Sequence, residues 1–266
     1  MTRLRKALSA IAATVALAGL AAACNAQSSQ ERGAPAAHES ASDKAFGARV
    51  RAYLLAHPEV LAEAFDQLQA KQAADKLAMA HDGIVKHRQE LQHDPRDGVL
   101  GNPNGKVTVV EFSDYRCPFC KAAEPEVEKL LAEQKDVRLV VKEFPIIDWE
   151  DQSHLSRDAA RVALATLPQG KYAAVRMALL AQKAKLEDPV VDEVLKANGV
   201  DVAKARALAA DKAIDAHLSD TLQLAHALGI DGTPAFIVGE TLIPGAQMDD
   251  LRAAIDAARA AAGKRS

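Results

Sequence analysis

Cysteine is scarce in this chain of 266 residues: there are three, at positions 24, 117 and 120. A bridge between Cys117 and Cys120 would close a tiny loop and add little stability, so this close pair points toward chemistry rather than a structural staple. Aromatic residues are also few, 4% of the chain, and the basic residues are scattered among acidic ones instead of gathering with aromatics. With a formal net charge of -3, that pattern is an ordinary solvated surface, and no nucleic-acid partner is expected. A Met-rich or His-rich tract, a second CxxC and an internal repeat are all missing. Their absence argues against a dedicated metal carrier, a four-cysteine zinc site and a repeat array. After the N-terminus no uncharged run is long enough to span a membrane.

What the chain does have is an apolar fraction of 49%, enough to bury a real core. Arg3, Arg5 and Lys6, followed by an uncharged stretch from Leu8 to Ala23, read as an export signal over residues 1–23. A membrane anchor is the competing reading, against which the run is short and Ala-heavy. Ala21-Ala22-Ala23-Cys24 resembles a lipoprotein box lacking its usual Leu, so lipidation at Cys24 and ordinary cleavage near Ala23 or Ala26 both stay open. Either way the mature chain is expected outside the cytoplasm, in the periplasm, with a flexible linker over 24–42. Loss of the signal changes the net charge to about -6.

Residues 43–95 follow a helical pattern broken at His57-Pro58. Phe46, Val50, Tyr53 and Leu54 share one face before the break. Leu61, Phe65 and Leu68 do so after it, continued by Leu77, Ala80, Ile84 and Leu91 following a one-residue phase shift. This spacing is close to that of a coiled coil. The weakly apolar second half, with Lys71, Gln72, Lys76 and Lys86, has little to bury alone, which favours packing between molecules over packing on the chain's own domain. Turn-rich segments at 94–98 and 101–105 open a second domain, residues 96–266. There a strand over 107–112, a helix over 118–133 and a strand over 137–144 form a β-α-β half. Strands over 235–238 and 241–243 and a helix over 248–262 form a β-β-α half, and a helical insertion at about 153–228 divides the two.

Cys117-Pro118-Phe119-Cys120 lies where a strand hands over to a helix. Free backbone N–H groups and the helix dipole there favour a thiolate at Cys117, while Cys120, one turn in, should be more buried and less reactive. Half a zinc site and an inert disulfide are the bland alternatives; His81, His87 and His93 form no compact partner motif, and no metal site is expected. Glu111 stands six residues before Cys117 in an apolar strand. It is either a buried carboxyl able to shuttle the Cys120 proton or a strand-end acid facing solvent. Thr233-Pro234, after Gly229-Ile230-Asp231-Gly232, suits a cis peptide in a tight turn just before a strand, with a merely structural turn as the alternative.

The segment Val109-Val110-Glu111-Phe112-Ser113-Asp114-Tyr115-Arg116-Cys117-Pro118-Phe119-Cys120, with Gly232-Thr233-Pro234 downstream, resembles the DsbA family of periplasmic thioredoxin-fold proteins over about residues 97–262. The N-terminal helical extension is similar to that of the ScsC and Com1 type, some of which oligomerise through such an arm. The resemblance implies an α/β thioredoxin-like fold with an inserted helical domain, a nucleophilic Cys117, a resolving Cys120, an acid at Glu111 and a cis proline at Pro234. It also implies a substrate site formed by Thr233, Pro234, Pro118 and Phe119. The dipeptide Pro118-Phe119 lacks the histidine of the strongly oxidising members, so a less oxidising site is expected. The function that follows is thiol-disulfide exchange without a cofactor, isomerase or reductase before monomeric oxidase, with copper handling by two thiolates as a further alternative. Expected partners are unfolded or misoxidised envelope proteins, a membrane redox partner and further copies of the chain held through the arm.

Overall fold

The computed structural model describes residues 40–148 and 152–263. The signal segment 1–23, Cys24 and the linker up to residue 39 lie outside the described residues.

The chain divides at Val60 into two compact units. In the first, α1 (Ala41–Ala56) begins inside the stretch expected to be linker, because Ser40 and Asp43 form a reciprocal capping box that satisfies N–H groups at its start. Phe46, Val50, Tyr53 and Leu55 of α1 are exposed and no residue of this helix is buried. Beyond His57-Pro58 the backbone re-enters a helix, α2 (Glu59–Lys86), which carries the chain into the second unit.

There α2 changes character along its length. Leu61, Phe65, Leu68 and Leu77 are exposed, whereas Ala80 and Ile84 are buried, followed by Leu91 on α3 (Arg88–His93). The expectation that the second half of the arm has too little to bury on its own domain therefore needs correction. Gly83 eases this docking: a Cβ there would stand 2.9 Å from Leu228 Cδ2 and 3.0 Å from the Ala227 carbonyl, so a larger residue would push the neighbouring chain away. Lys76 Nζ also reaches Asp231 Oδ2 at 2.8 Å, joining α2 to the loop before Pro234.

The sheet has five strands in the order β1-β3-β2-β4-β5. Strand β2 (Val107–Ser113) is central, parallel to β3 (Val137–Glu143) and antiparallel to β4 (Ala235–Val238), which pairs with β5 (Thr241–Pro244). Strand β1 (Gly98–Gly101) is antiparallel to β3 at the edge, inside what the sequence presents as turn-rich boundary. Its two apolar residues, Val99 and Leu100, sit between glycines, too short a run to show a period of two.

Because side chains alternate along a strand, the sheet buries two different faces. Val107, Val109, Leu139 and Val141 pack beneath α4 (Pro118–Glu133), the helices of the insertion and α10 (Met248–Gly263). The insertion comprises α5 (Leu155–Leu164), α6 (Tyr172–Leu180), α7 (Asp188–Ala197), α8 (Val202–Ala209) and α9 (Lys212–Ala227). On the other face Val110, Phe112, Val140 and Ile237 pack with Ile84, Leu91, Leu224 and Leu228. Lys142 projects into this second face and is neutralised there by Asp97, with the Glu90 carbonyl accepting a further hydrogen bond.

Candidate active site

Strand β2 ends at Ser113, and four residues carry the chain to α4. Asp114 holds this turn: one carboxylate oxygen accepts from the Arg116 N–H at 2.7 Å and the Ser156 hydroxyl at 2.7 Å, the other from the Ile147 N–H at 3.0 Å. Arg116 is tied down in turn, its guanidinium 3.1 Å from Asp148. Cys117 is thereby the N-cap of α4, with Pro118 in the first turn where its missing N–H costs nothing.

The two sulfurs have opposite environments. Cys117 is pulled down to about 6, chiefly by a hydrogen bond from the Cys120 thiol, with the Thr233 hydroxyl and the Cys120 and Phe119 backbone N–H groups adding to it against the effect of burial. Cys120 is pushed up, first by that same hydrogen bond, then by burial and by the nearby charge of Glu111. Between pH 6 and 9, therefore, the pair carries one thiolate, on Cys117, whose nucleophilicity and leaving ability are those of a low-pKa thiol.

Thr233-Pro234 is cis and faces this sulfur: Cys117 Sγ lies 3.2 Å from the Thr233 carbonyl oxygen. Beside them Phe119 is 66% exposed, an apolar ring held out next to the reactive sulfur. The structure thus brings the buried Cys117 against the Thr233-Pro234 loop, with Pro118 and Phe119 exposed beside it in the chain.

Glu111 is 1% exposed, beneath the pair rather than in solvent. Its partner is one that sequence reasoning missed: Arg176 on α6, itself fully buried, places Nη2 2.8 Å from Glu111 Oε2 and Nη1 against Glu124 Oε1. Burial pushes Glu111 up, Glu124 pushes the same way, and Arg176 and the Ser113 hydroxyl oppose them. Glu143 lies on the same face, since Glu111 pairs with Val141 and Ser113 with Glu143 across the parallel strands. Its Oε1 accepts from Tyr115 Oη at 2.7 Å and Tyr172 Oη at 2.6 Å, and burial raises it to about 7. The Tyr172 ring occupies the space a side chain at position 98 would need, with a Cβ there only 1.8 Å from the ring. A glycine opening the edge strand was the one local signal of this packing.

A sheet with this strand order, carrying a dithiol at the N-cap of the helix after its central strand and a cis proline against the first sulfur, defines a thioredoxin-fold dithiol protein. The family model described as DSBA-like thioredoxin domain matches residues 108–256, and the chain belongs to that family, whose members exchange thiols and disulfides. Residues 44–75 match the model described as the copper resistance protein ScsC N-terminal domain.

The chain is 40% identical to a thioredoxin-like oxidoreductase from Silicibacter pomeroyi, with 65% of this chain and 97% of that one covered and a TM-score of 0.61. A linker-deleted, N6K form of Proteus mirabilis ScsC is 26% identical, covering 85% and 99% of the two chains at a TM-score of 0.62. The thiol:disulfide interchange protein DsbA of Bordetella pertussis is 32% identical over 136 residues, 51% of this chain and 64% of that protein. A curated Na(+)/H(+) antiporter, NhaA 3 of Salinispora tropica, is 29% identical over 172 residues, 65% of this chain, but the chain spans only 26% of that protein's length.

Proposed function

We propose that this chain is a periplasmic protein-disulfide isomerase or reductase that acts on misoxidised envelope proteins. The observation that carries the proposal is the position of Cys117, whose thiolate forms near pH 6, beside the cis-proline loop, with its Sγ 3.2 Å from the backbone of Thr233. The thiolate attacks a substrate disulfide, while the backbone at Thr233 pairs with an extended substrate segment through main-chain hydrogen bonds, a mode that tolerates many sequences. The mixed disulfide is then resolved by a substrate thiol, which is isomerisation, or by Cys120, which is reduction.

Preference for isomerase over oxidase rests on exposed apolar residues, Phe46 and Val50 on α1 and, separately, Leu61, Phe65, Leu68 and Leu77 on α2, which suit further copies of the chain. Sites held together raise the local concentration of reactive thiol at one misfolded substrate. Export follows from the basic and apolar N-terminus, and recharging of the site calls for a membrane redox partner.

The test is recovery of activity from a scrambled multi-disulfide protein, comparing the mature chain with a Phe65→Lys, Leu68→Lys variant. The substitutions lie on exposed positions, leaving Ile84 and Leu91 in the core as a cut before Asp97 would not. Rescue by the mature chain and its loss in the variant, with a fall in molar mass by light scattering, support the isomerase. Oxidation of reduced substrate by both, with rescue by neither, assigns an oxidase.

A second reading, Cu(I) held by the two thiolates, is favoured by the match of residues 44–75 to a domain described by copper resistance. Titration of the reduced chain with Cu(I), alongside a Pro234→Ala variant that damages exchange and spares both sulfurs, separates the two roles.

A further inference from the structure

Beneath the dithiol, two glutamates from two elements bond one arginine supplied by the inserted helical block, and a third glutamate lies on the same face of the sheet. Glu111 comes from β2, Glu124 from α4, Glu143 from β3 and Arg176 from α6; Tyr115 and Tyr172 complete the group, and Cys120 adjoins it. All four charged residues are at least nine-tenths buried. A single guanidinium cannot neutralise three buried carboxylates, so the carboxyls that Arg176 bonds are favoured as anions over the one it does not bond. Arg176 bonds Glu111 and Glu124, whereas among the described residues Glu143 accepts from the hydroxyls of Tyr115 and Tyr172.

We propose that Arg176 is a positioning residue for disulfide exchange: by clamping Glu111 it holds that carboxylate ready to take the Cys120 proton. The role of Arg176 rests on the exchange chemistry proposed for Cys117 and Cys120. During resolution the Cys120 S–H proton passes to the Glu111 carboxylate, and the freed electron pair on Cys120 forms the S–S bond to Cys117. The bond from Cys117 to the substrate sulfur breaks, and that sulfur leaves with its electron pair as a thiolate. The two protein cysteines are thus oxidised to a disulfide and the substrate sulfur is reduced. In the opposite direction protonated Glu111 returns the proton to Cys120.

The clamp has a signature that a purely structural arginine lacks. Resolution should slow as pH falls through the Glu111 pKa, because a protonated carboxyl accepts nothing. Loss of the guanidinium raises that pKa and loss of the Glu124 charge lowers it, so the two changes move the acid limb in opposite directions.

The experiment loads Cys117 of the full mature chain with glutathione and follows release of the glutathione thiol by stopped flow from pH 4 to pH 9. Arg176→Met is expected to move the midpoint of the acid limb up by about one pH unit and Glu124→Gln to move it down by about one. Arg176→Lys should restore most of the wild-type profile, and Glu111→Gln should abolish the limb so that adding Arg176→Met changes nothing further. Identical midpoints in wild type, Glu124→Gln and Arg176→Lys, with Arg176→Met unfolded or uniformly slow, would overturn the role. Should wild type show the limb and its shifts but exchange nothing with protein substrates, the proposed function fails while the role of Arg176 stands.

Discussion

Cys117 Sγ and the Thr233 carbonyl oxygen lie 3.2 Å apart, although 116 residues separate them in the chain. The contact puts the cysteine whose thiolate is stabilised against the backbone that can align a substrate. Specificity for reactive disulfides and breadth toward protein sequence then come from the same few atoms.

Alkylation should report the asymmetry of the two sulfurs. Iodoacetamide labelling of the reduced chain, followed by mass spectrometry, is expected to mark Cys117 with a midpoint near pH 6 and to leave Cys120 unlabelled up to pH 9. A midpoint in the ordinary thiol range would mean that the α4 N-terminus and the Cys120 hydrogen bond do not act on the sulfur.

The same shift makes reduced-state stability depend on pH. The folded Cys117 pKa lies below its unfolded value, so its contribution is complete above the unfolded value of 9.0 and is lost as pH falls through about 6. Reduced minus oxidised stability should therefore rise between pH 6 and pH 9, by an amount on the order of 4 kcal/mol. Paired denaturant titrations of the two redox forms measure it, and a gap that does not change with pH contradicts the assignment.

Glu143 predicts the opposite slope at lower pH. Its folded pKa of about 7 exceeds the ordinary value of 4.5, so its contribution is full below 4.5 and lost as pH rises through 7. The loss amounts to about 3 kcal/mol for a fully buried group. Glu143→Gln should flatten stability between pH 4.5 and 7, and Tyr172→Phe, which removes one donor to it, should destabilise by about 1–2 kcal/mol. Thermal melts across that range check both.

Phe119 adds no charge beside the thiolate. Phe119→His is expected to lower the Cys117 pKa by roughly one unit when protonated, making the site more oxidising by about 30 mV. Equilibration with glutathione buffers measures the potential. No change would show that the side chain at this exposed position does not sense the sulfur.

Stability should also divide the N-terminal helices. Ile84→Ala, at a site 1% exposed, is expected to cost about 2–5 kcal/mol, and Phe65→Ala, 59% exposed, within about 0.5 kcal/mol in the monomer. Chemical denaturation of both variants at low protein concentration is the check; equal losses would contradict the division.

Much of this site was legible because its signals are local. The β-branched run before Cys117, Pro118 in the first turn of α4 and Gly232-Thr233-Pro234 before β4 each carry their meaning within a few residues. The edge strand β1 was not, since Val99 and Leu100 between glycines lack the length for a pattern. Nor was the partner of Glu111. Arg176 stands 65 residues downstream, and although Tyr172, Val175, Leu179 and Leu180 put it on the inward face of α6, nothing local says which carboxylates it meets.

The sequence by itself determined the chemistry and its local stage: two thiols one helical turn apart, a helix N-terminus to favour one thiolate, and a proline able to turn the backbone toward it. Local rules suffice there, because helix capping and turn geometry act over a few residues. Only the tertiary structure decided what surrounds the buried thiol and where the N-terminal helices stop being free. Both depend on long-range packing: Arg176 meets Glu111 and Glu124 only once α6 lies over the sheet, and Gly83 admits α2 only once Leu228 is in place. Burial, which sets both the charge balance of the glutamates and the docking of Ile84, is a property of the assembled core and of no single segment.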